Sequence, residues 1–173
     1  LGTNPLTLGA PSAGEWPLTA DLATSNGAYG KVIAARNEGT QLPEGWAVDA
    51  EGRPTTDPVA AAAGSMIPFG GHKGSAVSVL IEAFSASLTD ATYAFETVDI
   101  WSNPASRMNN GHLLIGLDTS AFGGREHTQE RVRTLQERVR GSGPGGRPVL
   151  APGDPERLRD EEHAATVALP AST

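Results

Sequence analysis

The chain has 173 residues, 38% of them hydrophobic, with 13 basic and 20 acidic side chains, a formal net charge of −7 and no cysteine. That length and apolar content suit one domain with its own core, and the acidic balance argues against nucleic acid or an anionic membrane as the main partner. The missing cysteines exclude disulfides, zinc-thiolate centres and thiol nucleophiles, and no apolar run reaches a membrane span or carries the flanks of a signal peptide, so a cytoplasmic setting is expected.

Leu1-Gly2-Thr3-Asn4-Pro5 has no initiator methionine and starts inside a turn signal, which reads as a fragment or a processed chain. Leu6-Thr7-Leu8 alternates like a short strand, and after the break at Pro11 to Gly14 an extended pattern runs from Trp16 to Leu22. Asp21 stands at its end, before small residues and a helix start near Ser25 or Asn26, a place where α/β proteins put ligand contacts. Its carboxylate suits either ribose hydroxyls or a turn cap. A helix is predicted over Ala28 to Asn37, with Val32, Ile33 and Ala35 inward and Gly39 as its stop.

From Leu42 to Pro54 turn formers alternate with single apolar residues, which predicts a surface loop pinned by Trp46 and Val48. Its acids, Asp49 and Glu51 with Asp57 beyond, lack the spacing and closing glutamate of a calcium loop and read as solvated. Asp57-Pro58 is an N-cap followed by a proline at the first helical position, with Gly64 as the stop. Ser75 to Leu88, apolar on most faces, predicts a buried helix. Ala91 to Asn110 reads as irregular, anchored by Tyr93 and Trp101, with Arg107 its one basic residue.

His112 to Asp118 is expected to be a core strand, and Glu126 to Arg140 an amphipathic helix with Val132, Leu135 and Val139 on its inner stripe. Gly141-Ser142-Gly143-Pro144-Gly145-Gly146 has the spacing of a dinucleotide fingerprint but follows a helix instead of a strand, so residues 141–148 are read as a Gly/Pro-rich linker. Pro152 to Glu156 forms a turn before a charged helix to about His163, with Gly153 allowing close approach of a ligand, and Val167 to Pro170 closes the chain.

The most informative stretch is Gly70-Gly71-His72-Lys73-Gly74, directly ahead of the apolar helix. Free N–H groups and the positive end of the macrodipole make a helix start an anion site, glycines let the anion approach, and Lys73 adds a full charge. The alternative is a glycine-rich turn with a solvated lysine.

GTNP at 2–5, DLATS at 21–25, LPEGWAVDAEGRPTTDP at 42–58, GGHKG at 70–74, NNGHLLIGLD at 109–118 and PGDPE at 152–156 together resemble the malate/L-lactate dehydrogenase family that lacks a Rossmann fold. The resemblance implies a three-layer α/β fold around a mixed sheet, L-sulfolactate dehydrogenase-like, of which residues 1–173 are the C-terminal portion, so that the fold is incomplete in this chain. It implies NAD or NADP as cofactor, hydride transfer between a small 2-hydroxy acid and a 2-keto acid or cyclic imine, and a homodimer. By the same likeness Asp21, Leu22, Ala23, His72, Lys73 and Gly153 line the cofactor, and Arg107 pairs with a substrate carboxylate. The family's general-base histidine belongs to a half that would precede Leu1, so no catalytic residue, and no metal ligand, is assigned here. Two other readings stay open: an inactive nucleotide-binding module, and a partner that only dimerises. SAVS at 75–78 replaces the tyrosine and glycine that the family often carries.

Overall fold

The computed structural model describes residues 3–98, 100 and 103–164. Gly2, Trp101 and Val167 to Pro170, named above as turn, anchor and closing segment, lie outside the described residues. The chain forms two compact units, Leu1–Leu6 with Leu22–Ile115 and Thr7–Asp21 with Gly116–Thr173.

In the first unit, α1 (Tyr29–Glu38) ends at Gly39, whose φ of 68° is the left-handed conformation that terminates helices at low cost. α2 (Pro58–Ala63) starts where Asp57 accepts a 3.0 Å hydrogen bond from the Val59 amide, with Pro58 supplying the preset φ of a first turn. The stretch expected as a loop contains β3 (Ala47–Val48) and the start of β4 (Pro54–Thr55), which pair antiparallel with each other, and β3 also pairs antiparallel with β5 (Ser65–Met66) beyond α2, in the order β4-β3-β5. Trp46 does pin it: the indole covers Gly27 so closely that a Cβ there would stand 2.4 Å from the ring. Val32, Ala35, Leu42, Ala47 and Ala61 form the core, with Tyr29, Trp46 and Met66 packed against it.

α3 (His72–Glu82), continued by a π-helical turn over Ala83–Ser87, corrects the expectation of a buried helix. Its buried positions are Gly74, Ser78, Glu82 and Ala86, a stripe of small and polar residues, while Val79, Leu80, Phe84 and Leu88 are exposed. A helix apolar on all sides needs cover on more than one face, and this unit covers one. His112 to Asp118 is likewise not a strand: the segment pairs with no other among the described residues, and Leu114 is 91% exposed. Its apolar pattern is strand-like, but a strand needs a neighbour to bond.

The second unit holds β1 (Leu6–Ala10) and β2 (Leu18–Leu22), apart from their end residues Leu6 and Leu22, paired as a two-stranded sheet. With them are α4 (Arg125–Arg140) and α5 (Asp154–Glu162). The buried side chain of α4 is Gln136 and not Leu135. Its amide accepts from Ser12 Oγ at 2.7 Å and donates to the Trp16 carbonyl at 3.2 Å, so its polar atoms stay bonded under cover. Residues 141–148 lie within this unit, where Pro144–Gly146 make a 3-10 turn after α4.

Val32 is fully buried and Val59 is 61% exposed. Val32→Ala is expected to lower the unfolding free energy by about 2 kcal/mol, whereas Val59→Ala changes it by less than about 0.5 kcal/mol, as read by urea denaturation.

Candidate functional site

Three of the sequence motifs meet in the first unit through backbone hydrogen bonds at Thr24, which is 1% exposed. The Thr24 amide donates to the Thr3 carbonyl at 2.9 Å, and the Thr24 carbonyl accepts from the Phe69 amide at 3.1 Å. A bridge between Ser25 and Pro68 and a 2.8 Å bond from the Asn26 amide to the Ile67 carbonyl continue the same pairing. The GTNP segment, the end of DLATS and the residues leading into GGHKG are therefore held side by side, which fixes Ala23 relative to the start of α3.

Immediately beyond Phe69 the chain turns through Gly70 and Gly71, both at φ 60°, and α3 begins at His72. The helix start lies hard against the preceding turn: a Cβ on Gly74 would stand 1.6 Å from the Phe69 carbonyl oxygen, so only glycine fits. Beside Gly71 a Cβ would meet nothing within 4 Å, which leaves open space at the helix tip. The first helical bond runs from the Ser75 amide to the Gly71 carbonyl, so the amides of His72, Lys73 and Gly74 precede it and have no intrahelical partner. His72 and Lys73 are exposed at this tip. Amide donors, the helix dipole, a lysine and unfilled space make a place for an anion such as a phosphate.

A network that the sequence reading missed secures the rest of α3. The side-chain amide of Asn4 donates to the Ser78 carbonyl at 3.0 Å and to Glu82 Oε2 at 2.8 Å, and Glu82 Oε1 accepts from the Ala94 amide at 2.6 Å. Glu82 is 9% exposed, so the carboxylate is turned inward and ties the GTNP segment to the helix. A single acid inside an otherwise apolar run was its signal in the sequence. Leu22 and Ala23 lie in the first unit, as does Arg107, which is exposed on the irregular stretch and has no side-chain hydrogen bond among the described residues.

Asp21 and Gly153 belong to the second unit. Asp21 is exposed and accepts a 2.6 Å hydrogen bond from Thr7 Oγ1. Gly153, at φ 93°, begins α5, and a Cβ on it would stand 3.2 Å from the Thr19 carbonyl oxygen, which brings this turn against β2 two residues before Asp21. The next residue, Asp154, is 5% exposed and takes both Arg140 Nε at 2.9 Å and Arg140 Nη2 at 2.7 Å, with the Ala151 amide as a further donor. The Arg140 guanidinium, chiefly by hydrogen bonding, holds the Asp154 carboxyl below the usual aspartate range. A cavity of about 500 Å³ in this unit is lined by Trp16, Arg133, Gln136, Glu137, Arg140 and Arg157 among others, and neither Asp21 nor Gly153 lines it. Its guanidinium groups pair with Glu130, Glu137, Asp154 and Glu161, while Arg157 Nε is buried without a hydrogen-bond partner among the described residues. In the loop of the first unit, Asp49 is engaged locally, accepting the amides of Glu51 and Arg53 and the Arg53 Nε. Among the described residues no group of three or more potential metal ligands occurs.

Because Asp154 titrates lower in the folded chain than the roughly 3.9 of an unfolded aspartate, its ion pair stabilises the fold above about pH 4 and ceases to do so as pH falls through the folded value. Asp154→Asn is expected to cost about 1–3 kcal/mol at pH 7 in urea denaturation, a gap that closes on acidification below about pH 4. A gap independent of pH contradicts this assignment.

The sequence profile of the malate/L-lactate dehydrogenase family matches residues 1–173. The (2R)-3-sulfolactate dehydrogenase (NADP(+)) of Chromohalobacter salexigens is 40% identical over 138 residues, 79% of this chain and 41% of that protein. The Delta(1)-pyrroline-2-carboxylate/Delta(1)-piperideine-2-carboxylate reductase of Pseudomonas syringae pv. tomato is 40% identical over 96% of this chain and 48% of its own length. The sulfolactate dehydrogenase structure from Methanocaldococcus jannaschii superposes with a TM-score of 0.82 at 31% identity, covering 99% of this chain and 49% of that one. The chain thus spans about half the length of these relatives, and its α/β fold is sulfolactate dehydrogenase-like and not Rossmann, as the ordered motifs lead one to expect. With the family profile matching along the entire sequence, the chain belongs to the malate/L-lactate dehydrogenase family.

Proposed function

We propose that residues 1–173 are a portion of one NAD(P)-dependent oxidoreductase domain that moves a hydride between the nicotinamide and a small 2-hydroxy acid/2-keto acid pair or a cyclic imine. The observation that carries this reading is the start of α3, where unpartnered amides, Lys73 and open space beside Gly71 fit the charge and bulk of a dinucleotide pyrophosphate. The names of the relatives point the same way, one being NADP(+)-dependent and another a cyclic-imine reductase.

On this reading the nicotinamide supplies the hydride acceptor or donor, and this chain supplies binding. The amides of His72 to Gly74 and the Lys73 ammonium hold the pyrophosphate. By the family likeness Leu22 and Ala23 in the first unit, and Asp21 and Gly153 in the second, are further cofactor contacts, the Asp21 carboxylate being suited to a ribose hydroxyl. Arg107 receives the substrate carboxylate, a group its planar fork matches. Oxidation of a hydroxy acid also releases a hydroxyl proton, which needs a positioned acceptor. His72, His112, His127 and His163 have no side-chain hydrogen bond among the described residues, so none is held as a base by a neighbour. The acceptor is assigned to the part of the family fold outside the matched half, which this chain needs for turnover. A homodimer and a cytoplasmic setting complete the reading. The absence of a held histidine also favours a second reading, a module that binds nucleotide or a partner without turnover.

Titration with NADPH and with NADH, followed by nicotinamide fluorescence, tests the proposal. Lys73→Ala is expected to raise Kd about tenfold, the equivalent of about 1.4 kcal/mol, with no oxidation of bound NADPH by 2-keto acids in either protein. An unchanged Kd removes Lys73 from the site, and turnover by the chain alone contradicts the assignment of the proton acceptor.

A further inference from the structure

We infer that Arg140 is a positioning residue for the cofactor turn at Gly153: by holding the Asp154 carboxylate it fixes the Ala151–Asp154 turn against β2, and with it the main chain that a dinucleotide approaches. This rests on the reading above that counts Gly153 among the cofactor contacts.

Gly153 precedes α5 at φ 93° and has no side chain with which to cap it. The turn is secured one residue later. The Asp154 amide donates to the Ala151 carbonyl at 3.0 Å, and the Asp154 carboxylate accepts from the Ala151 amide at 2.9 Å, so the same two residues are tied twice with Gly153 between them. Ala151 is 1% and Asp154 5% exposed, so water is no substitute for either bond. A carboxylate under that cover needs a cation, and Arg140 supplies one through Nε at 2.9 Å and Nη2 at 2.7 Å, a fork that fixes the plane of the carboxylate as well as its charge. The turn so held lies on β2, where a Cβ on Gly153 would stand 3.2 Å from the Thr19 carbonyl oxygen. Asp21, a second cofactor contact on the family reading, ends the same run of strand.

Arg140 is distinguished from the other arginines of the cavity by where its partner lies. Arg133 pairs with Glu130 and Glu137 on its own helix and Arg157 with Glu161 on its own, exposed contacts one turn apart that contribute little. The Arg140–Asp154 pair instead joins the last residue of α4 to the first of α5. The main chain does the same nearby, since the Val149 amide donates to the Arg140 carbonyl at 3.1 Å. Residues 141–148 are therefore a loop closed at its base, and the turn takes its place from Arg140 and not from the glycine-rich stretch between.

The test measures NADPH affinity by nicotinamide fluorescence for the chain, Arg140→Met, Arg140→Lys and Arg133→Met, each at a temperature where circular dichroism shows it folded. Amide shifts of Thr19 and Gly153 in 15N-labelled protein without cofactor are read alongside. Arg140→Met is expected to raise Kd about tenfold and to move both amides, Arg140→Lys to bring Kd back within roughly threefold of the parent, and Arg133→Met to stay within about twofold. If Arg140→Met does not fold, Arg140→Gln takes its place with the same expectation. Moved amides with an unchanged Kd overturn the inference, because the pair then holds the turn without serving the cofactor. A rise in Kd that Arg140→Lys does not reduce, or that Arg133→Met reproduces, overturns it too. A parent chain that binds no NADPH defeats the proposed function and this inference together, whereas binding indifferent to Arg140 defeats this inference alone.

Discussion

Thr24 is the point on which the first unit's geometry depends. Its amide is bonded to Thr3 and its carbonyl to Phe69, so one buried residue sets the register of the GTNP segment, the end of DLATS and the approach to GGHKG. Backbone pairing of this kind is insensitive to the side chains on either side, but it decides where they are delivered. Because Phe69 is fixed and Gly74 can lie against its carbonyl, α3 must begin where it does. The free amides at its tip then follow directly on the Thr24–Phe69 pairing. Any larger residue at 74 would force the helix off the Phe69 carbonyl.

The same helix carries a division of labour along its length. Its start is polar and open, its buried stripe of Gly74, Ser78, Glu82 and Ala86 is small enough for close packing, and its outer face is apolar. Glu82 is the pivot of this arrangement. A carboxylate under cover needs donors, and Asn4 and Ala94 supply them, which orients α3 about its own axis and determines which residues remain outside. The open helix start and the exposed apolar face thus follow from one rotational setting.

Much of this was legible in the sequence where a local rule governs the outcome. Asp57-Pro58, Gly39 and the charge-laced stripe of α4 each place an element boundary by chemistry within a few residues, and the structure puts α2, the end of α1 and α4 there. Legibility failed where the outcome depends on distant partners. β3, β4 and β5 have two residues each, too few for a period to show, and exist because they pair with one another. Gln136 is buried and Leu135 is not, since Ser12 and Trp16 meet the amide from far along the chain. For α3 and His112 to Asp118 the hydrophobic pattern predicted burial that the structure does not show, since one face of α3 is covered and the segment has no strand partner among the described residues. GGHKG was readable as a helix start because that chemistry is local, while the Asn4–Glu82 tie was not.

The central claim is that the amides at the start of α3 bind the charged part of a dinucleotide. Amide chemical shifts of 15N-labelled chain during titration with ADP-ribose, which carries the pyrophosphate without the nicotinamide, test it most directly. The account predicts that the largest shifts fall on Gly70 to Gly74 and extend to Ala23 and Thr24. Shifts confined to the arginine-lined cavity of the second unit, or none at saturating ligand in a folded chain, contradict it.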